Sequence, residues 1–240
     1  MAYGSLKQDH LSNKHLVERS VLASGDLEVE YKKLVKEISE CRQCELYKYR
    51  KNPVPGEGPL NTPIMLIGEA PGKQEDETGR PFVGAAGKLL TKLLEEAGIG
   101  RKNVYITNVL KCRPPSNRDP KPEEVEACSP YLRQQIKLIK PKMIVCLGRH
   151  SAKLIFSWAG IPWTNMKRQH GQVYEGVIEG LKVKIVATYH PAAALYNPQL
   201  RKELEEDFLK VIGPLAKQIL EGKIETTKRT TLLDFLRGKG

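Results

Sequence analysis

Four of the five cysteines could act together. Cys41 and Cys44 are separated by two residues, and Cys112 and Cys128 by fifteen. A Cys-x-x-Cys turn lets two thiolates converge on one centre, and a second pair delivered by the fold completes tetrahedral ligation. The spacing alone does not choose zinc over an iron–sulfur cluster. Cys146 differs: it lies inside the apolar run MIVCLG and reads as a buried apolar residue. A second set of chemistry-bearing residues adjoins loops: Glu69 in GEAPG, Phe82 in GRPFVGAAG, Asn108 after VYIT and His190 after KIVATY. A phenyl ring in a glycine-rich loop can stack on a flat ring, and a carboxamide offers both a donor and an acceptor. Asparagine is disfavoured in strands, which argues against a purely structural role for Asn108. His10, His15, His150 and His170 read as solvated histidines. Glu75 and Asp76, in a KQEDE run, read equally as solvated charge or as spare carboxylates.

The elements that must position these residues alternate. IMLIG (64–68) reads as a buried parallel strand, VYITNVL (104–110) as a second and MIVCLG (143–148) as a third. Between them, Leu89, Leu90, Leu93 and Leu94 recur at helical spacing in a helix from Ala85 to Ala97, which Gly98 stops. Pro122 suits the first turn of a helix carrying Glu123 to Ile139. A charged helix is expected over Glu28–Glu40, another near His150–Trp158, and a last one over Gln199–Glu221. Residues 173–190 read as a hairpin turning at Glu179-Gly180. The sum is an α/β protein: a three-layer α/β/α architecture around a mainly parallel sheet. In such sheets ligands sit beyond the carboxyl ends of the strands. The loops after Gly68, Leu110 and Tyr189 leave those ends.

Composition bounds the function. The 240 residues have 40% hydrophobic and 28% charged content, which excludes wholesale disorder. No apolar run is long enough to span a bilayer, and the N-terminus has no apolar signal core, so a cytoplasmic, nucleoid-associated protein is expected. Thirty-nine Lys and Arg against twenty-eight Asp and Glu leave +11, which suits a polyanion, nucleic acid first. With no export signal, five cysteines favour metal or cluster ligation over disulfides. Residues 1–28 carry three basic and four acidic side chains without periodicity and read as a loosely ordered extension. Residues 29–221 form the main domain, and 222–240 a basic tail.

GEAPG at 68–72, GRPFVGAAG at 79–87, TNVLKCRPPSNR at 107–118 and YHP at 189–191, with the four cysteines in order, resemble the family 4 uracil-DNA glycosylases over roughly Glu37 to Ile219. The resemblance implies that fold, and a 4Fe-4S cluster in place of zinc on Cys41, Cys44, Cys112 and Cys128. It implies hydrolysis of the N-glycosidic bond of uracil in DNA, giving free uracil and an abasic site for base excision repair. Such an enzyme takes the base out of the stack into a pocket. Phe82 would stack on it. Asn108 would match uracil N3 and O4 and mismatch cytosine. His190 would hydrogen-bond O2 as charge builds on the leaving base. Gly68, Ala70 and Gly72 would shape the pocket and supply backbone donors. The best-known members read GQDPY in the first loop, and their water-handling aspartate aligns with Ala70. Glu69 is the neighbouring carboxylate, expected to position water or the base edge.

The loop HPAAALYNP supplies Leu195 as the wedge for the vacated stack. The family carries larger residues, including an arginine, where this chain has Ala193, Ala194 and Tyr196. It tends to place Arg-Gly where this chain has His170-Gly171. Arg80, Lys111, Arg113, Arg118, Lys167, Arg168 and Arg201 are phosphate-contact candidates. Lys111 stands near the pocket, with nothing in the sequence to mark it as desolvated, so no lyase chemistry is expected. Residues 229–236 resemble a sliding-clamp binding box, with Leu232, Phe235 and Leu236 as its apolar plug. The expected partners are uracil-containing DNA and such a clamp, the expected state a monomer. Two alternatives stand beside this reading: a non-catalytic iron–sulfur or zinc DNA-binding module, and a family 5 glycosylase, against which Glu69 and Asn108 argue.

Overall fold

The computed structural model describes residues 9–222, with side chains from residue 25 onward. Five strands form one sheet in the order β2-β1-β3-β5-β4. Strands β1 (Ile64–Gly68), β2 (Tyr105–Asn108), β3 (Met143–Leu147) and β5 (Leu181–Thr188) run parallel, while β4 (Val173–Ile178) pairs antiparallel with β5 at the edge. Every residue of β1 and β3 is buried, as continuous apolar runs covered on both faces require. The hairpin turns at Glu179 and Gly180, with φ of 52° and 78°.

Alternate residues of β1 feed two cores. Met65 and Ile67 face α1 (Asp9–Glu40), α4 (Pro122–Ile139) and α5 (Arg149–Trp158) through Leu34, Ile38, Leu132, Ile136 and Phe156. Ile64 and Leu66 face α3 (Ala85–Glu96), α8 (Pro198–Asp207) and α9 (Gly213–Leu220) through Leu90, Leu93, Leu204 and Ala216. This is the three-layer arrangement expected. Truncating Leu90 or Leu93 to alanine would cost about 2–5 kcal/mol.

Local departures have local causes. The helix expected from Glu28 begins at Asp9, taking in much of the segment read as an extension; that stretch has no proline and only one glycine, Gly25. The loop after Gly68 contains a short helix, α2 (Lys73–Thr78), because Glu75 reaches back to the Gly72 N–H at 3.1 Å and caps it. Two more short helices, α6 (Met166–Gln169) and α7 (Pro191–Ala194), lie in segments without periodicity. The last helix is not continuous. Pro214 has no N–H to donate and its ring crowds the preceding turn, and the chain widens into a π turn at Phe208–Ile212 between α8 and α9. Among the described residues no helix is long and apolar enough to cross a membrane.

Candidate active site

The register of the sheet brings the functional loops together. Gly68 of β1 pairs with Asn108 of β2, and Leu147 of β3 with Thr188 of β5. The chain reverses direction of sheet growth at β1, and a cavity of about 330 Å³ opens beyond these strand ends. Glu69, Ala70, Gly72, Phe82, Asn108 and His190 line it.

Phe82 and His190 form one wall, their ring centroids 5.6 Å apart and their planes 30° from parallel. Phe82 is held in the left-handed region at φ 51°, a conformation costing of order 1–3 kcal/mol. The surroundings enforce it. Arg101 donates to the carbonyls of Phe82 at 3.1 Å and Pro81 at 2.7 Å. Gly87 leaves room for the turn, since a Cβ there would fall 1.9 Å from the Phe82 carbonyl oxygen. Glu75 ties this loop to the first one: its carboxylate accepts the N–H groups of Val83 and Gly84, both at 2.9 Å, and of Gly72. Asp76, 3% exposed, accepts the Lys51 N–H at 2.9 Å. The reading of these two carboxylates as solvated charge is therefore corrected; both staple backbone.

His190 is half-buried, and burial lowers its pKa to about 4, so the ring is neutral at ordinary pH. Its Nδ1 accepts the Ala192 N–H at 3.1 Å, which leaves the ring proton on Nε2. Asn108 is 1% exposed at the end of β2, and its Oδ1 has no hydrogen-bond partner. A buried acceptor without a donor is costly, and a ligand N–H would satisfy it. Gly68 does not line the cavity but makes it possible: a Cβ there would lie 2.3 Å from Asn108 Oδ1 and 2.7 Å from the Phe82 ring.

Below Asn108 sits a polar hub. Lys111 Nζ donates to Thr107 Oγ1 at 2.7 Å, the Asn108 carbonyl at 2.6 Å and Gln135 Oε1 at 2.7 Å. Gln135 in turn donates to the Pro55 carbonyl at 2.7 Å and Tyr105 Oη at 3.0 Å. Lys111 is only 1% exposed, and burial lowers its pKa to about 7. It is desolvated after all, yet it does not line the cavity and its three donors are spent. It is neither a phosphate contact nor an available amine; it fixes the strand end that carries Asn108.

Charged groups gather around Glu69. Glu69, half-buried, lies 3.7 Å from His150 Nε2, which lies 3.6 Å from Asp119 Oδ1. His150 is thus no solvated loop residue. Nor is His170, whose Nδ1 meets the two Asp207 oxygens at 3.0 and 2.9 Å, while Thr188 Oγ1 donates to the same carboxylate at 2.6 Å. The side chains of His10 and His15 fall outside those described. Asn117 and Arg118, from the Pro-rich loop, complete the cavity lining. Asn117 has φ 53°, which its short polar side chain tolerates, and the run PPSN was the signal for it. Arg118 pairs with Glu124 at 2.5 Å and Arg80 with Glu57 at 2.7 Å. Leu195 does not line the cavity; it packs half-buried on the second core, while Tyr196 beside it is 89% exposed.

All four candidate ligands belong to the first core. Cys112 and Cys128 are buried, Cys41 and Cys44 half-buried, and none is in a disulfide. The thiols of Cys44, Cys112 and Cys128 each feel negative charge from other members of the set. Arg50 Nη1 donates to Cys112 Sγ at 3.1 Å and the Lys111 N–H to Cys128 Sγ at 3.2 Å. Four free thiols on one side of the sheet, with N–H donors on two of the sulfurs, form a donor set whose chemistry fits a thiolate-bound metal centre. Cys146 is fully buried in β3, and burial raises its thiol pKa.

A family model described as the uracil DNA glycosylase superfamily matches residues 55–213. The chain belongs to the uracil-DNA glycosylase superfamily. A Type-4 uracil-DNA glycosylase of Archaeoglobus fulgidus is 52% identical over 203 residues, covering 85% of this chain and 97% of the relative. One of Sulfurisphaera tokodaii is 52% identical over 208 residues, covering 86% and 90%. A Type-5 uracil-DNA glycosylase of Pyrobaculum aerophilum is 34% identical over 184 residues, covering 70% and 77%. The sequence resemblance to the Type-4 members and the expected fold both hold. The loops of the superfamily domain that carry Glu69, Phe82, Asn108 and His190 meet at one cavity.

Proposed function

We propose that this chain excises uracil from DNA by hydrolysing its N-glycosidic bond. The orphaned Asn108 Oδ1 carries the reading, because a buried, unpartnered acceptor on a residue that lines the cavity beside Phe82 suits the N3–H of uracil. The adjacent Nδ2 donates to O4, and cytosine presents the reverse pattern at both positions. Phe82 stacks on the everted ring, and the neutral His190 donates from Nε2 to O2. As the N1–C1′ bond breaks, its electron pair stays on the base, and the Nε2 donor stabilises the charge that develops there. Glu69 holds the water that adds to C1′, and the proton released passes by way of its carboxylate to solvent or to the uracil anion. The products are free uracil and an abasic site. No step needs an amine nucleophile, so the enzyme is monofunctional.

Cys41, Cys44, Cys112 and Cys128 would hold a 4Fe-4S cluster. When bound, it supplies four iron–sulfur bonds that tie the chain after α1 to α4 and to the loop that follows Asn108. Zinc is the lesser reading, and one absorbance spectrum of anaerobically purified protein separates the two. The tail box at 229–236 lies outside the described residues; clamp binding by the full chain but not by a chain lacking 229–240 would establish it. A monomer is the state we assign, checked by light scattering.

Release of labelled uracil from a single-uracil oligonucleotide, with none of cytosine from its control, tests the activity. A DNA-binding module without catalysis would bind that oligonucleotide and release nothing. A broad Type-5-like activity would release other deaminated bases at comparable rates.

A further inference from the structure

Glu69, which lines the cavity, has three charged or titratable groups from two other segments beside it. Asp119 comes from the loop before α4, and Arg149 and His150 open α5. One side-chain atom each of Glu69, Asp119 and His150 lies within 4.8 Å of the others. Arg149 binds both neighbours: its Nη2 is hydrogen-bonded to Asp119 Oδ2, and its Nε donates to His150 Nε2 at 3.1 Å. The remaining titratable groups of the cavity are engaged elsewhere. Glu75 caps backbone, Arg118 is paired with Glu124, and His190 is neutral. The field at Glu69 is therefore set by His150, Asp119 and Arg149.

His150 has two arrangements open to it. Neutral, its Nε2 accepts from Arg149. Protonated, Nε2 has no lone pair for Arg149, and the nearest acceptors to that nitrogen are Glu69 Oε2 and Asp119 Oδ1, at 3.7 and 3.6 Å.

We propose that His150 and Asp119 are opposed positioning residues for Glu69: the imidazole holds the carboxylate ionised on the cavity wall, and Asp119, anchored by Arg149, works against it, so that together they set the acidic limit of base excision. The inference rests on Glu69 as the water-holding group. Burial raises the Glu69 pKa, and of its charged neighbours His150 and Arg149 lower it while Asp119 raises it. The sign follows. A cation beside Glu69 keeps it ionised to lower pH, so removing His150 moves the acidic fall-off of the rate to higher pH. Removing the Asp119 charge moves it to lower pH.

The test is single-turnover uracil release by the full chain across the acidic and neutral range. His150→Gln should shift the acidic midpoint upward by about one pH unit, Asp119→Asn should shift it downward by a smaller step, and His150→Lys should leave it in place. In a Glu69→Gln background the residual rate should be indifferent to both substitutions. Circular dichroism confirms that each variant is folded, and Asp119→Ser replaces Asp119→Asn if that variant is not. Shifts in the same direction, midpoints that do not move, or shifts that persist without Glu69 would overturn the proposal. A wild-type chain that releases no uracil refutes the activity instead, and a fully active Glu69→Gln variant refutes the role of Glu69 alone.

Discussion

Two sets of side chains in and around the cavity are built on different principles. The first set, Phe82, Asn108 and His190, is neutral, and its members are fixed by hydrogen bonds to the backbone that carries them. Phe82 is pinned by Arg101, Gly87 and Glu75, Asn108 by the Lys111 hub, and His190 by its bond to Ala192. The second set, Glu69, His150, Asp119 and Arg149, consists of partly exposed charged or titratable groups linked by ion-pair contacts, and of these Glu69 lines the cavity. Recognition of a flat neutral ring needs shape and fixed dipoles, which packing supplies. Handling water needs a proton acceptor, whose availability is an equilibrium. Changes to the first set should act as steps in rate at every pH, and changes to the second as displacements along the pH axis.

The largest effects should fall on the first set. His190→Ala and Asn108→Asp should each lower single-turnover uracil release by about 10²–10³, with the fold of each variant checked by circular dichroism. Near wild-type rates in both would show that neither side chain acts on the base. Gly68→Ala should have an effect of the same order, because its Cβ would meet Asn108 Oδ1 at 2.3 Å and the Phe82 ring at 2.7 Å. A structure of that variant with an unchanged cavity would contradict it.

A smaller effect is expected for Glu75→Gln. One carboxylate serves three backbone N–H groups, so its weakening should cost about 1–3 kcal/mol of stability and raise KM through a looser Phe82, read by denaturant unfolding and steady-state kinetics. An effect on kcat alone would assign Glu75 to chemistry instead.

The linkage of His190 gives a third. Its folded pKa, about 4, lies below the ordinary imidazole value of about 6.5. The unfolded chain therefore takes up the proton first, and stability is retained above the ordinary value and falls as pH drops through this window. The melting temperature of the wild-type chain should decline more steeply there than that of His190→Gln, while the rate should show no inflection belonging to His190. The smallest effect should be at the rim. Tyr196→Ala should reduce release from duplex more than from single strands, by a few-fold only (about 1 kcal/mol), and Leu195→Ala should act mainly on stability. The reverse ranking would restore Leu195 as the wedge.

Much of this was legible in the residues. The apolar runs of β1 and β3, the leucine spacing of α3 and the Glu179-Gly180 turn are set by neighbours in the chain, and the structure has them where periodicity predicts. Phe82, Asn108, His190 and the cysteines stood out because each is an unusual residue type for its local context. A side chain whose partner is remote in sequence carries no local sign of it. Lys111 looked like a surface cation until Gln135 and Thr107 enclosed it, Glu75 like solvated charge until the Phe82 loop folded onto it, and His150 and His170 like loop histidines until Asp119 and Asp207 came alongside.

The chain by itself determined the sheet, its order of elements and the chemical types delivered to the strand ends, because hydrophobic period and turn chemistry are local properties. Only the tertiary structure decided which groups are dry, which are paired and which tautomer His190 adopts. Desolvation and Coulomb interaction depend on distance through space, and the distances between these loops exist only once the sheet has closed.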